Sequence, residues 1–141
     1  MSLYLDASTA VATVIEEVAS GAVARFIRAA TEPLILSEFA AAEVASAISR
    51  LVRMRQVSSG SAIERLAEFD AWRLSTTIGL ECREPDFRLA SVFVRRFDLG
   101  LRAPDALHAA LCRRDDHRLV TLDRRLATAA EAVGVAVECL D

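Results

Sequence analysis

The feature that most constrains the fold is an alternation of very short apolar runs with longer helical stretches. LYL at 3–5, LIL at 34–36, RLVT at 118–121 and VAV at 135–137 are three or four residues long and almost wholly apolar. TIGLEC at 77–82 is a further candidate strand. A strand buried on both faces reads as such a run, whereas a half-exposed one alternates apolar with polar. Short buried strands separated by amphipathic helices predict a parallel sheet covered on both sides. The expected architecture is therefore a three-layer α/β/α sandwich with a central parallel sheet of about five strands. At 141 residues the chain is expected to be a single domain over 1–141.

The helices carry their own punctuation. A first helix is expected from Ser8 to Val18, separated by Gly21 from a second over 22–30. Pro33 leads into the second strand, and Ser37 is a good N-cap for a long helix to Met54. Val44, Ile48, Leu51 and Val52 give that helix its apolar stripe. After the SSGS turn at 58–61, a helix to residue 75 is expected, with a buried stripe of Ile63, Leu66, Phe69 or Asp70, and Leu74. Pro85 opens a helix to Asp98 that Gly100 closes, and Pro104 opens another to Arg114. Asp123 begins the last helix, with Gly134 as the residue just past its end.

Several function classes are excluded by what the chain lacks. No apolar run approaches the roughly 18–20 residues that span a bilayer. The N-terminal MSLYLDAST has no basic segment and meets an acid at residue 6, so no targeting peptide is expected and the expected location is cytoplasmic. Cys82, Cys112 and Cys139 are widely spaced, with no CxxC, and do not form a disulfide framework. His108 and Cys112 stand four apart, but no compact ligand pair joins them, which speaks against zinc. All 17 cations are arginine. Without a lysine, P-loop chemistry, haloacid-dehalogenase-type phosphatase chemistry and the response-regulator receiver are all ruled out. GxGxxG and GxSxG are absent too.

What remains is a set of acids. Asp6 directly follows the first strand, and Asp123 follows the fourth after Thr121-Leu122. Glu43 sits among alanines near the start of the helix after the second strand, and Asp105 near the start of the helix opened by Pro104. In a parallel sheet, strand ends and helix starts share one edge, where the functional crevice lies. Each acid has an ordinary role as well: Asp6 and Asp123 suit N-caps, Asp105 suits a helix dipole, and Glu43 suits a solvated face. Taken together they are expected to converge. Clustered carboxylates repel and raise one another's pKa, so such a cluster is tolerable mainly around a cation. Oxygen-only donors suit Mg²⁺ or Mn²⁺.

YLDAS at the N-terminus, the isolated Glu43, LRAPDALHAAL and VTLDRRLATAAEAVGV, in that order, resemble a PIN domain, and within it the VapC-type toxins of bacterial toxin–antitoxin pairs. The resemblance spans the whole chain. It implies a Mg²⁺- or Mn²⁺-dependent endoribonuclease that hydrolyses RNA phosphodiesters. Asp6, Glu43, Asp105 and Asp123 match the acidic quartet of catalytic and metal residues. Ser8 and Thr121 match hydroxyl positions that orient ligands. Arg102, Arg124 and Arg125 stand beside the acids and suit contacts to RNA phosphates, although a solvated helix end explains them equally. His108 lies one turn after Asp105, but in this resemblance the acids carry the chemistry. A VapB-type antitoxin partner and a homodimer are implied. Two other readings are a PIN nuclease of RNA processing and a non-catalytic PIN-fold interaction protein; the intact acids argue against the second.

Overall fold

The computed structural model describes residues 1–140. Strands β1 (Leu3–Leu5), β2 (Leu34–Ser37), β3 (Ile78–Leu80), β4 (Arg118–Thr121) and β5 (Val137–Cys139) form one sheet in the order β3-β2-β1-β4-β5. Every pairing is parallel. The helices are α1 (Ala7–Ala12), α2 (Ser20–Ala29), α3 (Glu38–Arg53), α4 (Ser59–Thr76), α5 (Glu84–Val94), α6 (Ala103–Asp115) and α7 (Arg124–Ala132). A 3₁₀ turn at Phe97–Leu99 precedes α6.

Successive strand residues point to opposite faces, and the two cores follow from that. Leu3, Leu5, Leu34, Leu36 and Val120 pack with Ala10 of α1, Ala40 and Val44 of α3 and Phe69 of α4. Tyr4, Ile35 and Leu119 pack on the other side with α5, the alanine-rich α6 and α7. The expected α/β/α sandwich is thus present; the central strands β2, β1 and β4 are buried because both faces are covered, while the edge strands β3 and β5 are partly exposed. No helix among the described residues is long and apolar enough to cross a membrane.

Five local expectations need correction. The first helix stops at Ala12, because Thr13 turns its hydroxyl back onto the Ala10 carbonyl at 2.7 Å and caps the end. Gly21 does not separate two helices; it lies in the first turn of α2. The fifth strand is Val137–Cys139 rather than 135–137, since Gly134 and Val135 complete the end of α7 and pairing with β4 begins only at the Ala136 carbonyl. In α4 the buried face runs through Ala62, Leu66 and Phe69, leaving Ile63 and Leu74 exposed. The helix opened by Pro85 also ends early, at Val94, and the 3₁₀ turn carries the chain to Gly100.

Gly134 fulfils its expectation. Its φ is 87°. Its N–H bonds the Glu131 carbonyl and the Val135 N–H bonds the Ala130 carbonyl, both at 3.0 Å. This is a Schellman ending, with Val135 buried behind it. Gly134→Ala is expected to lower stability by about 1–2 kcal/mol, the cost of a side chain in the left-handed region; a denaturant midpoint equal to wild type would contradict this.

At the same N-terminal edge of the sheet His117 is buried, with Nδ1 2.6 Å from Ser2 Oγ and Nε2 lacking a hydrogen-bond partner among the described residues. Burial holds this imidazole below its ordinary 6.5, an effect that outweighs the opposing field of Asp115. The fold therefore favours the neutral ring. Its contribution is complete above about 6.5 and is lost as pH falls through the lower folded value, where the unfolded chain binds more protons. His117→Asn should flatten the fall in stability below pH 6.5. An unchanged slope in pH-dependent unfolding would count against it.

Candidate functional site

β1 lies between β2 and β4, so the chain reverses its direction of travel across the sheet there. Such a switch point opens a crevice beyond the strand ends. Asp6 leaves β1 at that crevice, and beside it Thr121 ends β4 two residues before Asp123, the N-cap of α7. Glu43 arrives from the second turn of α3, and Asp105 from the first turn of α6. All four expected acids therefore reach one edge of the sheet.

Asp6 is 2% exposed and is held from three directions. Ser8 Oγ donates at 2.7 Å to Oδ1, the Thr9 N–H at 2.9 Å to the same oxygen, and Thr121 Oγ1 at 2.6 Å to Oδ2. Ser8 Oγ in turn accepts from the Leu122 N–H and Thr121 Oγ1 from the Asp123 N–H, each at 3.0 Å. The two hydroxyls thus tie β1 to the loop after β4. They also hold both oxygens of Asp6. Three donors on a carboxylate with about four lone-pair positions leave one position for another partner.

The capping roles turn out to coexist with convergence. Asp6 caps α1 through Thr9, and Asp123 caps α7 by accepting from the Arg125 and Leu126 N–H groups. Glu43 is not a solvated helix residue: its Oε2 lies 2.7 Å from His108 Nε2. Asp105 is the one acid of the four for which no hydrogen bond is found among the described residues. Its carboxyl is pushed up, first by burial and then by the negative field of Asp123, with smaller pushes from Glu43 and Asp6; His108 pulls the other way. Asp123, Glu43 and Asp6 are thus close enough to act on Asp105.

Two clefts meet at the cluster. One, of about 400 Å³, is lined by Arg102, Pro104, Asp105, Asp123 and Arg125. The other, of about 650 Å³, is lined by Ser8, Glu43, Asp123, Arg124 and Arg125. They share Asp123 and Arg125, so one groove with an acidic floor and arginine rims crosses the strand ends. All three expected arginines line it. Among the described residues no three His, Cys, Asp or Glu side chains stand in a finished ligand cage. Asp123 engages α7 through Oδ1 and Glu43 engages His108 through Oε2, and the second oxygen of each has no hydrogen bond among the described residues. The sequence reading missed Tyr4 and Ser37 as neighbours of the site: Tyr4 Oη lies 2.8 Å from Ser37 Oγ and 2.7 Å from His108 Nδ1. Their one signal in the sequence is the i, i+3 spacing that puts His108 on the face of α6 carrying Asp105.

Known structures show the same fold. VapC20 of Mycobacterium tuberculosis, a Sarcin-Ricin loop cleaving toxin, superposes with a TM-score of 0.72 at 17% identity, over 96% of this chain and 97% of that one. VapBC2 of Rickettsia felis, bound to a DNA fragment from its promoter, gives 0.71 at 12% identity, with 100% of both chains covered. FitAcB of Neisseria gonorrhoeae gives 0.70 at 17%, over 98% and 97%. No curated protein sequence matches the chain. The family profile described as PIN domain matches residues 3–132, nearly the whole chain and all four acids. With its parallel sheet and its acids gathered at the β1/β4 edge, the chain belongs to the PIN domain family.

Proposed function

We propose that this PIN domain is a cytoplasmic endoribonuclease dependent on Mg²⁺ or Mn²⁺, and the toxin of a pair with a VapB-type antitoxin. The observation that carries the reading is the convergence of Asp6, Glu43, Asp105 and Asp123, with the Asp105 carboxyl raised first by burial and then by the field of Asp123, Glu43 and Asp6. Such mutual repulsion is unfavourable without a positive guest. An all-oxygen donor set fits a hard divalent cation. Asp6, Glu43, Asp105 and Asp123 are the residues that would hold it. Bound there, such a cation supplies charge neutralisation at a phosphoryl group and activation of water.

The rest of the work falls to the chain. Ser8, Thr9 and Thr121 keep Asp6 in one orientation. Arg102 and Arg125, with Arg124 beside them, suit the phosphates of an RNA strand lying along the groove. The resulting chemistry is hydrolysis of a phosphodiester.

The partners are supported by apolar surface. A cleft of about 520 Å³ between α2 and α4 is lined by Val14, Ile27, Phe69 and Trp72 with Arg28 and Arg65, a shape suited to an antitoxin segment. Phe87 and Val92 of α5 and the nearby Phe97 are 53–87% exposed, which suits a homodimer contact. The structural neighbours VapBC2 and FitAcB support the antitoxin partner.

The test is a cleavage map of total RNA incubated with the purified protein. Discrete cuts are expected with Mn²⁺ or Mg²⁺, and none after chelation with EDTA. Cutting that persists in EDTA, or no cutting with either ion, overturns the reading.

A further inference from the structure

A run of four hydrogen bonds leads from the cap of α3 to the acid cluster. The Ala40 N–H donates to Ser37 Oγ at 3.0 Å, and Ser37 Oγ lies 2.8 Å from Tyr4 Oη. Tyr4 Oη lies 2.7 Å from His108 Nδ1, and His108 Nε2 lies 2.7 Å from Glu43 Oε2. Tyr4 and Ser37 are fully buried and His108 is 2% exposed, so solvent offers these atoms no alternative partners.

One assignment of hydrogens satisfies every contact. A carboxylate only accepts, so Nε2 carries its hydrogen toward Glu43. A neutral imidazole then has a bare Nδ1, which accepts from the Tyr4 hydroxyl. The Tyr4 oxygen accepts from the Ser37 hydroxyl, whose own oxygen accepts from Ala40. A doubly protonated ring would reverse the run. Tyr4 would donate to Ser37, and the Ser37 hydrogen would be left without an acceptor in a buried place, which is costly. The ring is also gripped from its sides: its centroid is 5.7 Å from that of Tyr4 and 5.2 Å from that of Phe39. Phe39 stands one helical turn before Glu43 on α3.

We propose that His108 is a positioning residue for the acid cluster: Ser37 and Tyr4 hold it as the neutral Nε2–H tautomer, and in that form it fixes the Glu43 carboxylate at the groove shared with Asp123. The inference rests on the metal-site reading above. Its physical basis is preorganisation. Glu43 has three rotatable side-chain bonds, and a ligand held in place beforehand loses less freedom when an ion arrives. A histidine that merely fills the core would need a partner for its buried nitrogens, but would have no effect on the ion.

The test has two arms. In the first, long-range ¹H–¹⁵N spectra of the wild-type protein without metal read the tautomer. A protonated Nε2 with a bare Nδ1 is expected; a protonated Nδ1, singly or with Nε2, overturns the proposal whatever the protein does. In the second, Mn²⁺ affinity is measured by EPR for wild type, His108→Leu, His108→Gln, Glu43→Gln and the double variant Glu43→Gln/His108→Leu. His108→Leu is expected to weaken Mn²⁺ binding about 10–100-fold. His108→Gln, whose amide N–H can still reach Glu43, should stay within about threefold of wild type, and the double variant should bind no more weakly than Glu43→Gln alone. Equal losses for Leu and Gln, no loss for Leu, or additive losses in the double variant overturn it. Wild type failing to bind Mn²⁺ would sink the metal-site reading itself, and the tautomer arm would still decide the arrangement of Ser37, Tyr4 and His108.

Discussion

Asp105→Asn is expected to abolish RNA cleavage and to melt at or slightly above the wild-type temperature. The two outcomes follow from one fact, that this carboxyl is half-buried among Asp123, Glu43 and Asp6 and is held above its ordinary range by burial and by their charges. A carboxyl raised on folding makes its ionised form unfavourable to the fold at neutral pH. Asparagine removes that charge and keeps the shape. The same charge is what a divalent cation requires. Several kcal/mol of transition-state stabilisation come from a bound cation, and each ~1.4 kcal/mol is tenfold in rate. A loss of about a hundredfold or more is therefore expected with Mg²⁺ or Mn²⁺. If Asp105 served only the dipole of α6, the variant would lose at most about 1 kcal/mol of stability and keep its turnover. A folded Asp105→Asn protein that cleaves at the wild-type rate would return the residue to that role.

Asp86→Ala is expected to have the largest effect on stability, with no direct effect on the groove. Asp86 is 1% exposed, yet it is charged and lies in the first turn of α5. Its Oδ2 accepts from the Arg83 N–H at 2.7 Å and from Arg114 Nη1, which also donates to the Glu81 carbonyl at 3.2 Å. One carboxylate thus closes the cap of α5, and its partner Arg114 belongs to the last turns of α6. Removing one member of a buried pair leaves the other charge uncompensated and typically costs about 3–5 kcal/mol. Arg114 is 20% exposed, so the lower end applies. About 3 kcal/mol corresponds to a fall in Tm of roughly 10 °C for a domain of this size. Thermal unfolding checks it; a shift below about 3 °C would show that the pair contributes little. The surface pairs, such as Arg88 with Glu84, are exposed on both sides and should be nearly silent when removed.

Sequence alone determined what depends on near neighbours and on periodicity. The apolar runs of β1, β2 and β4 announced strands buried on both faces, because no polar position alternates within LYL or LIL. Ser37 and Gly134 marked helix ends through their own chemistry, a side-chain acceptor and a positive φ. The acids were legible because strand ends and helix starts of a parallel sheet share an edge, so placement in the chain implied placement in space. Tertiary structure decided the rest. The end of α1 and the start of β5 were set by which backbone groups found partners, and short segments have too little propensity of their own to resist that. Asp86 with Arg114 are separated by 28 positions, Glu43 with His108 by 65, and Tyr4 with His108 by 104. No local pattern records such pairs. Asp6, Asp105 and Asp123 can be found from where they stand in the chain. The groups that hold Glu43 toward the groove are found only when β1, the cap of α3 and α6 are packed together, because the hydrogen bonds joining them exist only in the folded chain.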